Sequence, residues 1–260
     1  MFDSYTPIIR ALPRCQQEAH IYFLHDVHIG AREHEGGALD AFAKKVMDDP
    51  CAYVCVLGDI MDNAVVGSRG DVYTQTLSPH EQREAATRLL KRLHEAGKLI
   101  AVIPGNHENN RITARVGLYP LYDACVMAGC EDIYRQHFAV VDIGVGEYYK
   151  DKSKQVHYTG YLVHKAMDQK NFGTSDMLDG FDFMAFGHDH APRDKARGKL
   201  VWDPYNKKVT RKSVECINCG SMLEYDGYAV DGGYRVPSEK MYRLELHGGE
   251  RAGESHGFYL

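Results

Sequence analysis

The sequence lacks any apolar run that approaches the roughly 20 residues a membrane-spanning helix needs. Its first residues place Asp3, Arg10 and Arg14 between short apolar stretches, which is not the pattern of a secretory signal peptide. Internal repeats and Gly/Ser-rich linkers are lacking as well. We therefore expect a cytoplasmic protein that has no membrane partner.

An excess of positive charge is also lacking. The chain has 31 Lys and Arg against 36 Asp and Glu, a net charge of −5, and its pI is near 6.3. Such a chain has no global basic field for nucleic acid, although a local basic groove is compatible with it. With 44% apolar residues and only 25 Gly and 9 Pro in 260, collagen-like and mostly disordered chains are excluded.

The seven cysteines are an odd number in a chain too long to be a disulfide-stapled miniprotein. This favours free thiols in a reducing compartment. Cys216 and Cys219 have a metal-like or redox-like spacing, and Cys51 and Cys55 could form a second pair. Because Cys51 and Cys55 flank or lie in the apolar run 52–57, which is typical of a buried strand, we disfavour a structural zinc site.

The first half of the chain alternates strand-like and helix-like segments. Strands are predicted at 20–25, 53–57 and 99–103, and helices at 37–49 and 78–96. Ser78, Pro79 and Glu81 have the spacing of a capping box with Pro at the first helical position, and Gly97 is a typical stop. Strand–helix–strand alternation is the pattern of crossover units in a largely parallel sheet.

The second half is richer in strands. Its strand candidates are 138–141, 156–163, 181–186, 209–217 and 241–246. Residues 151–154 and 191–212 are charged and rich in turn formers, which indicates surface loops or an exposed hairpin. Periodicity therefore predicts one α/β domain with a mixed second half.

Polar clusters follow five of these strand-like runs, and every cluster contains metal-ligand residue types. They are Asp26-x-His28, Gly58-Asp59-x-x-Asp62, Gly105-Asn106-His107-Glu108, His164, and Gly187-His188-Asp189-His190. One such motif is weak evidence, because a lone His is more often structural, but five after successive strands are hard to assign to chance. Oxygen and nitrogen ligands without thiolates suit Mn²⁺, Fe, Co or Zn²⁺ in a hydrolytic site.

This series of motifs resembles the calcineurin-like metallophosphoesterase superfamily over Asp26 to His190. A looser resemblance to phage- and prophage-encoded members depends on Arg111 after the GNHE motif, and on Gly220-Ser221 followed by Tyr225 and Tyr228. The superfamily resemblance implies an α/β/β/α sandwich, in which two mixed β-sheets are flanked by helices. The whole chain is expected to form a single domain over 1–260, with a motif core at 20–190, a basic loop or hairpin at about 191–212, and C-terminal strands at 213–260.

The resemblance implies two divalent metal ions, with Mn²⁺ favoured and Fe, Zn²⁺, Co or Ni as alternatives. Asp59 would bridge the ions; the other implied ligands are Asp26, His28 and His190 on the first ion and Asn106, His164 and His188 on the second. His107 would be the general acid that protonates the leaving oxygen after a metal-bridging hydroxide attacks phosphorus.

Three residues beside these ligands are given supporting roles. Glu108 stands where Asp is commoner and is either a residue that orients His107 or a solvated loop carboxylate. Asp62 is expected to fix the Asp59 loop rather than to ligate a metal. Strand alternation places His25 on the face opposite Asp26, which favours a structural role over ligation.

The function implied is metal-dependent hydrolysis of a phosphoester, most simply of a phosphodiester in DNA or a nucleotide. A phosphomonoesterase, including a protein phosphatase, is the alternative, and a non-catalytic binding scaffold is a third. Arg111 and Arg115 could hold phosphate oxygens, although Arg115 could equally lie on the surface of a helix over 112–128. Tyr225, Tyr228 and Tyr234 offer a stacking surface for bases.

One dense basic stretch follows the last motif. It contains Arg193, Lys195, Arg197 and Lys199, and then Lys207, Lys208, Arg211 and Lys212. Such a run of charges usually lies on a solvated face of the protein. The alternative interpretation is that it contacts a polyanionic substrate.

Overall fold

Two β-sheets with helices against them make up the computed structural model of the chain. The structure describes residues 3–68, 72–165, 180–226, 230, 236, 240–250 and 252–260. The strands are β1 (Ile8–Ala11), β2 (Glu18–Leu24), β3 (Ala52–Val56), β4 (Leu99–Val102), β5 (Phe138–Val145), β6 (Val156–Val163), β7 (Phe183–Phe186), β8 (Arg193–Asp203), β9 (Lys208–Asn218), β10 (Lys240–His247) and β11 (Gly253–Tyr259).

The helices lie mainly in the first half of the chain. They are α1 (Gly36–Asp48), α2 (Pro79–Glu95), α3 (Asn106–Glu108), α4 (Ala114–Val116) and α5 (Pro120–Ala128), with a π-helical turn at Asn109–Thr113 and a 3₁₀ turn at Glu131–Ile133. In the ranges given above, no helix is both long enough and apolar enough to cross a membrane.

The five-stranded sheet has the order β11-β10-β2-β3-β4. Strands β2, β3 and β4 run parallel, whereas β10 is antiparallel to β2 and β11 to β10. Every residue of β3 and β4 is buried, as expected for strands with both faces covered. Because these three strands are parallel, the loops that follow them meet at one edge.

The six-stranded sheet has the order β1-β5-β6-β7-β9-β8 and is also mixed. Strands β6, β7 and β9 run parallel, and β8 is an edge strand antiparallel to β9. The two sheets pack face to face, and the rings of Phe23 on β2 and Phe183 on β7 lie 6.2 Å apart. The predicted class, a mixed α/β fold with two mixed sheets flanked by helices, is confirmed.

Apolar side chains of the six-stranded sheet alternate between two clusters. Phe183 and Ala185 belong to the main core between the sheets. Met184 and Phe186 belong to a smaller cluster on the other face, together with Val214 and Cys216. We call this second side the outer face of the six-stranded sheet.

Local sequence signals explain how α2 begins and why the next helical region is short. The Ser78 side chain accepts from the Glu81 N–H and the Glu81 carboxylate accepts from Ser78, so the predicted capping box is present. The predicted helix over 112–128 is wrong as one unit. It stops at Gly117, whose φ of 71° suits glycine, and begins again at Pro120.

Candidate metal centre

The five predicted motifs are placed at the ends of strands that meet at a crevice between the two sheets. Residues 26–28 follow β2, Asp59 follows β3, and residues 106–108 follow β4; on the other sheet, His164 follows β6 and residues 188–190 follow β7. The backbones of neighbouring loops are also joined, because the N–H of Gly187 donates to the His164 carbonyl at 3.0 Å. The carboxyl ends of strands are where open α/β sheets place their ligands.

Asp26, His28 and His190 form a first cluster whose candidate ligand atoms all lie within 4.8 Å of one another. Nε2 of His28 is 3.9 Å and Nε2 of His190 is 3.6 Å from Oδ1 of Asp26. Asp26 Oδ1 and His28 Nε2 are buried and have no hydrogen-bond partner among the described residues. Buried polar atoms are normally paired, so this donor set fits a cation.

The other oxygen of Asp26 is already engaged. Oδ2 lies 2.7 Å from His25 Nδ1 and accepts the His188 backbone N–H at 2.7 Å. Because His25 Nε2 accepts from the Cys219 N–H at 3.3 Å, the proton of a neutral His25 ring lies on Nδ1 and is donated to Asp26. This arrangement directs Oδ1 towards His28 and His190, in the way that outer hydrogen bonds orient metal ligands.

The predicted orientation of His25 is therefore wrong, although its contacts are those of a structural residue. Strand alternation ends at Leu24, and Asp26 has a left-handed backbone with φ of 50°. The turn brings the two consecutive side chains together instead of placing them on opposite faces.

Asp59, His164 and His188 form a second cluster within the same 4.8 Å limit. Nε2 of His164 lies 3.2 Å from Asp59 Oδ2 and 3.1 Å from Asn106 Oδ1. Nδ1 of His164 donates to the Leu57 carbonyl at 2.8 Å, which leaves Nε2 as the nitrogen that faces the cluster. The seven predicted ligands are thus brought into two adjacent groups, and their action as ligands stays a prediction.

Asp59 lies between the two ligand clusters and also contacts the loop that carries His107. Its Oδ1 accepts the His107 backbone N–H at 2.7 Å, and Asp59, His28 and His107 form a third set of ligand atoms within 4.8 Å. A carboxylate in this position is suited to contact two cations.

Burial and charge set the protonation of these groups. Burial lowers the pKa of His28 to about 3 and also lowers the pKa of His188. Burial opposes the charged ring of His164, but the Asp59 carboxylate outweighs it and raises the pKa of His164 to about 10. Against the same burial cost, the neighbouring His164 and His107 hold the pKa of Asp59 below its usual range. In the absence of metal, a proton on His164 thus occupies a position that a cation would take.

The backbone of the centre is unusual at the predicted ligands. Asp26, His28, Asp59, His188 and His190 all have left-handed φ values between 50° and 78°. Non-glycine residues seldom adopt this region, but Asp and His do so more readily than most, and such strain concentrates at functional sites. These φ values turn the side chains into the crevice directly after each strand.

Glycine is required beside Asp59. Gly58 has a φ of 89°, and a Cβ there would lie 2.1 Å from the backbone nitrogen of Gly105. The loops after β3 and β4 can therefore approach only because neither glycine has a side chain.

His107 is placed beside the two clusters with its ring fixed at Nδ1. This nitrogen lies 2.9 Å from the Asp62 carbonyl oxygen, 3.2 Å from Asp62 Oδ1 and 3.1 Å from His28 Nδ1. Nε2 is on the Asp59 side, 3.7 Å from Oδ2. The two oxygens of Asp62 favour a proton on Nδ1 of the ring.

Neither of the two predicted roles of Glu108 is observed. It is only 1% exposed, so it is not a solvated loop carboxylate, and its hydrogen bonds do not orient the His107 ring. Oε2 accepts the N–H groups of Gly105 and Asp59, and Oε1 accepts those of Ile60 and Met61, at 2.8 to 3.0 Å. Glu108 follows Gly105 by three residues, so it reaches back over the start of the helical turn to the loop after β3.

Asp62 was predicted to fix the Asp59 loop, and the structure shows a different role. Its side chain contacts His107 and Arg111, whereas Glu108 fixes the Asp59 loop. Arg111 NH1 donates to the Asp62 carbonyl at 2.8 Å and to Oδ1 at 2.9 Å. The predicted substrate-binding Arg111 is therefore beside the centre, and its observed contact is with Asp62.

Arg115 lies on the other side of the π-helical turn. It donates to the backbone carbonyls of Val66 and Gly67, so these hydrogen bonds hold a surface loop. Of the tyrosines predicted to stack on bases, Tyr225 is exposed, and Tyr228 and Tyr234 lie outside the described residues.

The cysteine pairs do not converge on a shared site. Cys216 belongs to the outer-face cluster and Cys219 to the main core. Cys55 is buried inside β3 as predicted, and the seven cysteines are free thiols.

A contact behind the last motif was not predicted from the sequence. Asn218, at the end of β9, donates from Nδ2 to Asp189 Oδ1 and, at 2.9 Å, to the Ala191 carbonyl. Arg193 contacts the other oxygen of Asp189. Asn218 stands alone after a strand in the sequence, without a motif that would identify it.

Comparisons with known proteins leave the function open. Searches with family models and against curated proteins match nothing. Among solved structures, Vps29 from Entamoeba histolytica complexed with Zn²⁺ is 13% identical, with a TM-score of 0.38, and the match covers 92% of this chain and 98% of that one. The hypothetical protein PH1004 from Pyrococcus horikoshii OT3 is 9% identical, with a TM-score of 0.43. This match covers 93% of this chain and 88% of that one. At these values the likenesses assign no activity.

Proposed function

We propose that this chain is a metal-dependent phosphoesterase that holds two divalent ions, with Mn²⁺ preferred, and hydrolyses a phosphodiester in DNA or a nucleotide. The observation that carries the proposal is the pair of adjacent Asp/His clusters, in which Asp26 Oδ1 and His28 Nε2 are buried and have no hydrogen-bond partner in the part of the chain that the structure describes. The resemblance of the five motifs to the calcineurin-like metallophosphoesterases supports the same function.

The residues present divide into two donor sets. Asp26, His28 and His190 would hold one ion, and Asn106, His164 and His188 the other, with Asp59 between them. When bound, such ions activate water as a nucleophile and neutralise charge on the phosphate oxygens.

His107 supplies a proton in this proposal. Asp62 holds Nδ1, so Nε2 of the doubly protonated ring is the atom that can donate to the leaving oxygen. Arg111 keeps the Asp62 carboxylate beside the ring and, in the substrate complex, contacts phosphate oxygens. A positioned general acid contributes about 10²–10⁴ in rate.

The first test compares substrates. Protein stripped of metal and reloaded with Mn²⁺ should bind close to two ions per chain and hydrolyse a bis-aryl phosphodiester faster than an aryl phosphomonoester. Faster monoester hydrolysis would identify a phosphomonoesterase instead. Absence of turnover on both, with the ions bound, would favour a non-catalytic scaffold.

The second test separates proton transfer from metal binding. His107→Ala should retain both ions but lose about 10²–10⁴ in kcat, whereas Asp59→Asn should lower the metal content because a charge between the ions is removed. His157→Ala, at a half-exposed position on β6, is the matched control and should change neither. A His107→Ala protein that loses its ions but regains full kcat in excess metal would contradict the assigned role.

A further inference from the structure

The hairpin of β8 and β9 carries its charges in a regular pattern. Arg193, Lys195, Arg197 and Lys199 occupy alternate positions of β8 and are opposite Asn218, Cys216, Val214 and Lys212 of β9. Since alternate residues of a strand point to the same face, these four side chains form a row, which we call the basic stripe.

The stripe lies on the outer face of the six-stranded sheet. Two of its cross-strand partners, Val214 and Cys216, are buried in the outer-face cluster. Burial raises the pKa of the Cys216 thiol to about 11, and the nearby charges of Arg197 and Lys195 act against this rise. Asp194, between two members of the stripe, bonds instead to Ser255 of β11 at 3.0 Å, on the side that faces the other sheet.

The hairpin carries a charge opposite to that of the rest of the chain. Residues 193–212 include eight basic and two acidic side chains, a net charge of +6 in a chain of net charge −5. The remaining residues therefore have a net charge of −11. Concentrated positive charge on an acidic protein favours an anionic ligand at that place.

One end of the stripe lies at the metal centre. Arg193 contacts the carboxylate of Asp189, which stands between the candidate ligands His188 and His190. From Arg193 to Lys199, the strand rises by about 20 Å. Cations on alternate residues are about 6.6 Å apart, close to two phosphates of a stacked strand at 3.4 Å per nucleotide.

We propose that the basic stripe binds the phosphate backbone of a polynucleotide strand of about six nucleotides and leads it to the metal centre. The proposal rests on the proposed function, because it names a polynucleotide as the substrate class of that site. The ligand is recognised by its regular row of phosphates, and bases need not be read.

An anionic membrane fits the hairpin less well. The exposed apolar residues Leu200 and Trp202 of β8 and Val209 of β9 lie on the face opposite the stripe, where Trp202 is the cross-strand partner of Val209 and Leu200 that of Arg211. A membrane surface would draw cations and apolar side chains to one side, and here the two sets are on opposite sides.

Binding is measured by fluorescence anisotropy with labelled single-stranded oligonucleotides of two to twelve nucleotides, in EDTA so that no hydrolysis occurs. The stripe variant is Lys195→Gln, Arg197→Gln and Lys199→Gln together. The matched control neutralises three exposed cations of α2, as Arg88→Gln, Lys91→Gln and Arg92→Gln. Vesicles with and without anionic lipid are titrated in parallel.

We expect affinity of the unaltered protein to rise with length up to about six nucleotides. The stripe variant should bind about 10–100-fold more weakly, with the slope of log K against log salt reduced by about 2. The control variant should bind like the unaltered protein, and so should Trp202→Ala, because this side chain is on the other face.

Equal losses in the stripe and control variants, or preferential binding to anionic vesicles, would overturn the proposal. Failure of the stripe and failure of the proposed function are distinguishable. A metal-loaded protein that cleaves a small phosphodiester but does not bind oligonucleotides refutes the stripe alone. A protein that binds oligonucleotides through the stripe but hydrolyses no phosphoester refutes the proposed function.

Discussion

The carboxylate of Glu108 accepts hydrogen bonds from four backbone N–H groups, and three of them belong to the loop that carries Asp59. Burial, followed by the nearby negative charge of Asp59, raises the pKa of Glu108. The four N–H donors offset part of this cost. A group that touches no predicted ligand side chain thereby determines where Asp59 lies.

We predict that Glu108→Gln lowers the free energy of unfolding by about 2 kcal/mol or more, because an amide has only one oxygen to accept with and leaves buried N–H groups unpaired. It should also weaken metal binding, since the Asp59 loop loses its support. Urea unfolding in EDTA and a metal titration are the measurements. Glu95→Gln, at an exposed position of α2, is the control, and equal stability of the two variants would contradict the prediction.

At the scale of single residues, motif positions were predictable and side-chain contacts were not. Each ligand candidate follows a strand, and its residue type indicates its chemistry. The exchange of roles between Glu108 and Asp62 depends on the left-handed turn at Asp59 and on the approach of Gly58 to Gly105. These are relations between distant loops, and no spacing in the sequence records them.

At the scale of elements, strands with a continuous apolar core were predicted closely, and the poorly buried edge strands β1 and β11 were not. The bounds of β6 agree with the prediction at both ends, and β3 lies within one residue of it. Strands β1 and β11 were missed because few of their residues are buried. An edge strand is held by backbone pairing, which leaves little trace in hydropathy.

A contact between β2 and the end of α1 gives the fold a pH-dependent component. His20 lies between two carboxylates, with Nδ1 2.7 Å from Asp49 Oδ2 and Nε2 2.5 Å from Glu18 Oε1. Burial opposes the charged ring, but the hydrogen bonds to Glu18 and Asp49 outweigh it and raise the pKa of His20. The contact with His20 also lowers the pKa of Glu18.

The stabilisation from His20 is therefore fully present below its unfolded pKa of about 6.5 and is lost as pH rises through the higher folded value. The stabilisation from Glu18 is lost in the opposite direction, as pH falls below about 4.3. We predict that the destabilisation caused by His20→Gln is largest near pH 6 and shrinks towards pH 9.

Urea unfolding in EDTA at several pH values measures the difference in free energy of unfolding between the unaltered protein and the His20→Gln variant. Thr87→Ala, which removes an uncharged hydrogen bond to the Arg83 carbonyl, is the control and should give a difference independent of pH. A His20→Gln difference that grows with pH would show that the sign is wrong.

At the scale of the whole molecule, the two sheets with their helices differ in role from residues 198–213, the far part of the β8–β9 hairpin, which we call the distal hairpin. The sheets and helices bury both apolar clusters and bring five loops to one crevice. The distal hairpin exposes Leu200, Trp202, Tyr205 and Val209, each at least 58% accessible. Because burial of apolar area is the main source of stability, the distal hairpin contributes little to the free energy of unfolding. It extends the sheet and carries positive charge.

We predict that replacing residues 198–213 with Asn-Gly, a two-residue hairpin turn, changes the free energy of unfolding by less than about 1 kcal/mol, since little apolar area is lost. Arg197 and Val214 are cross-strand partners, so the turn joins residues that already face each other.

Val214→Ala in the full chain is the contrasting variant, and we expect it to cost about 1–3 kcal/mol because Val214 is 1% exposed. The shortened chain would have a net charge of −9, which should keep it soluble. A shortened chain that unfolds at much lower urea concentration than Val214→Ala would mean that the distal hairpin is part of the cooperative core.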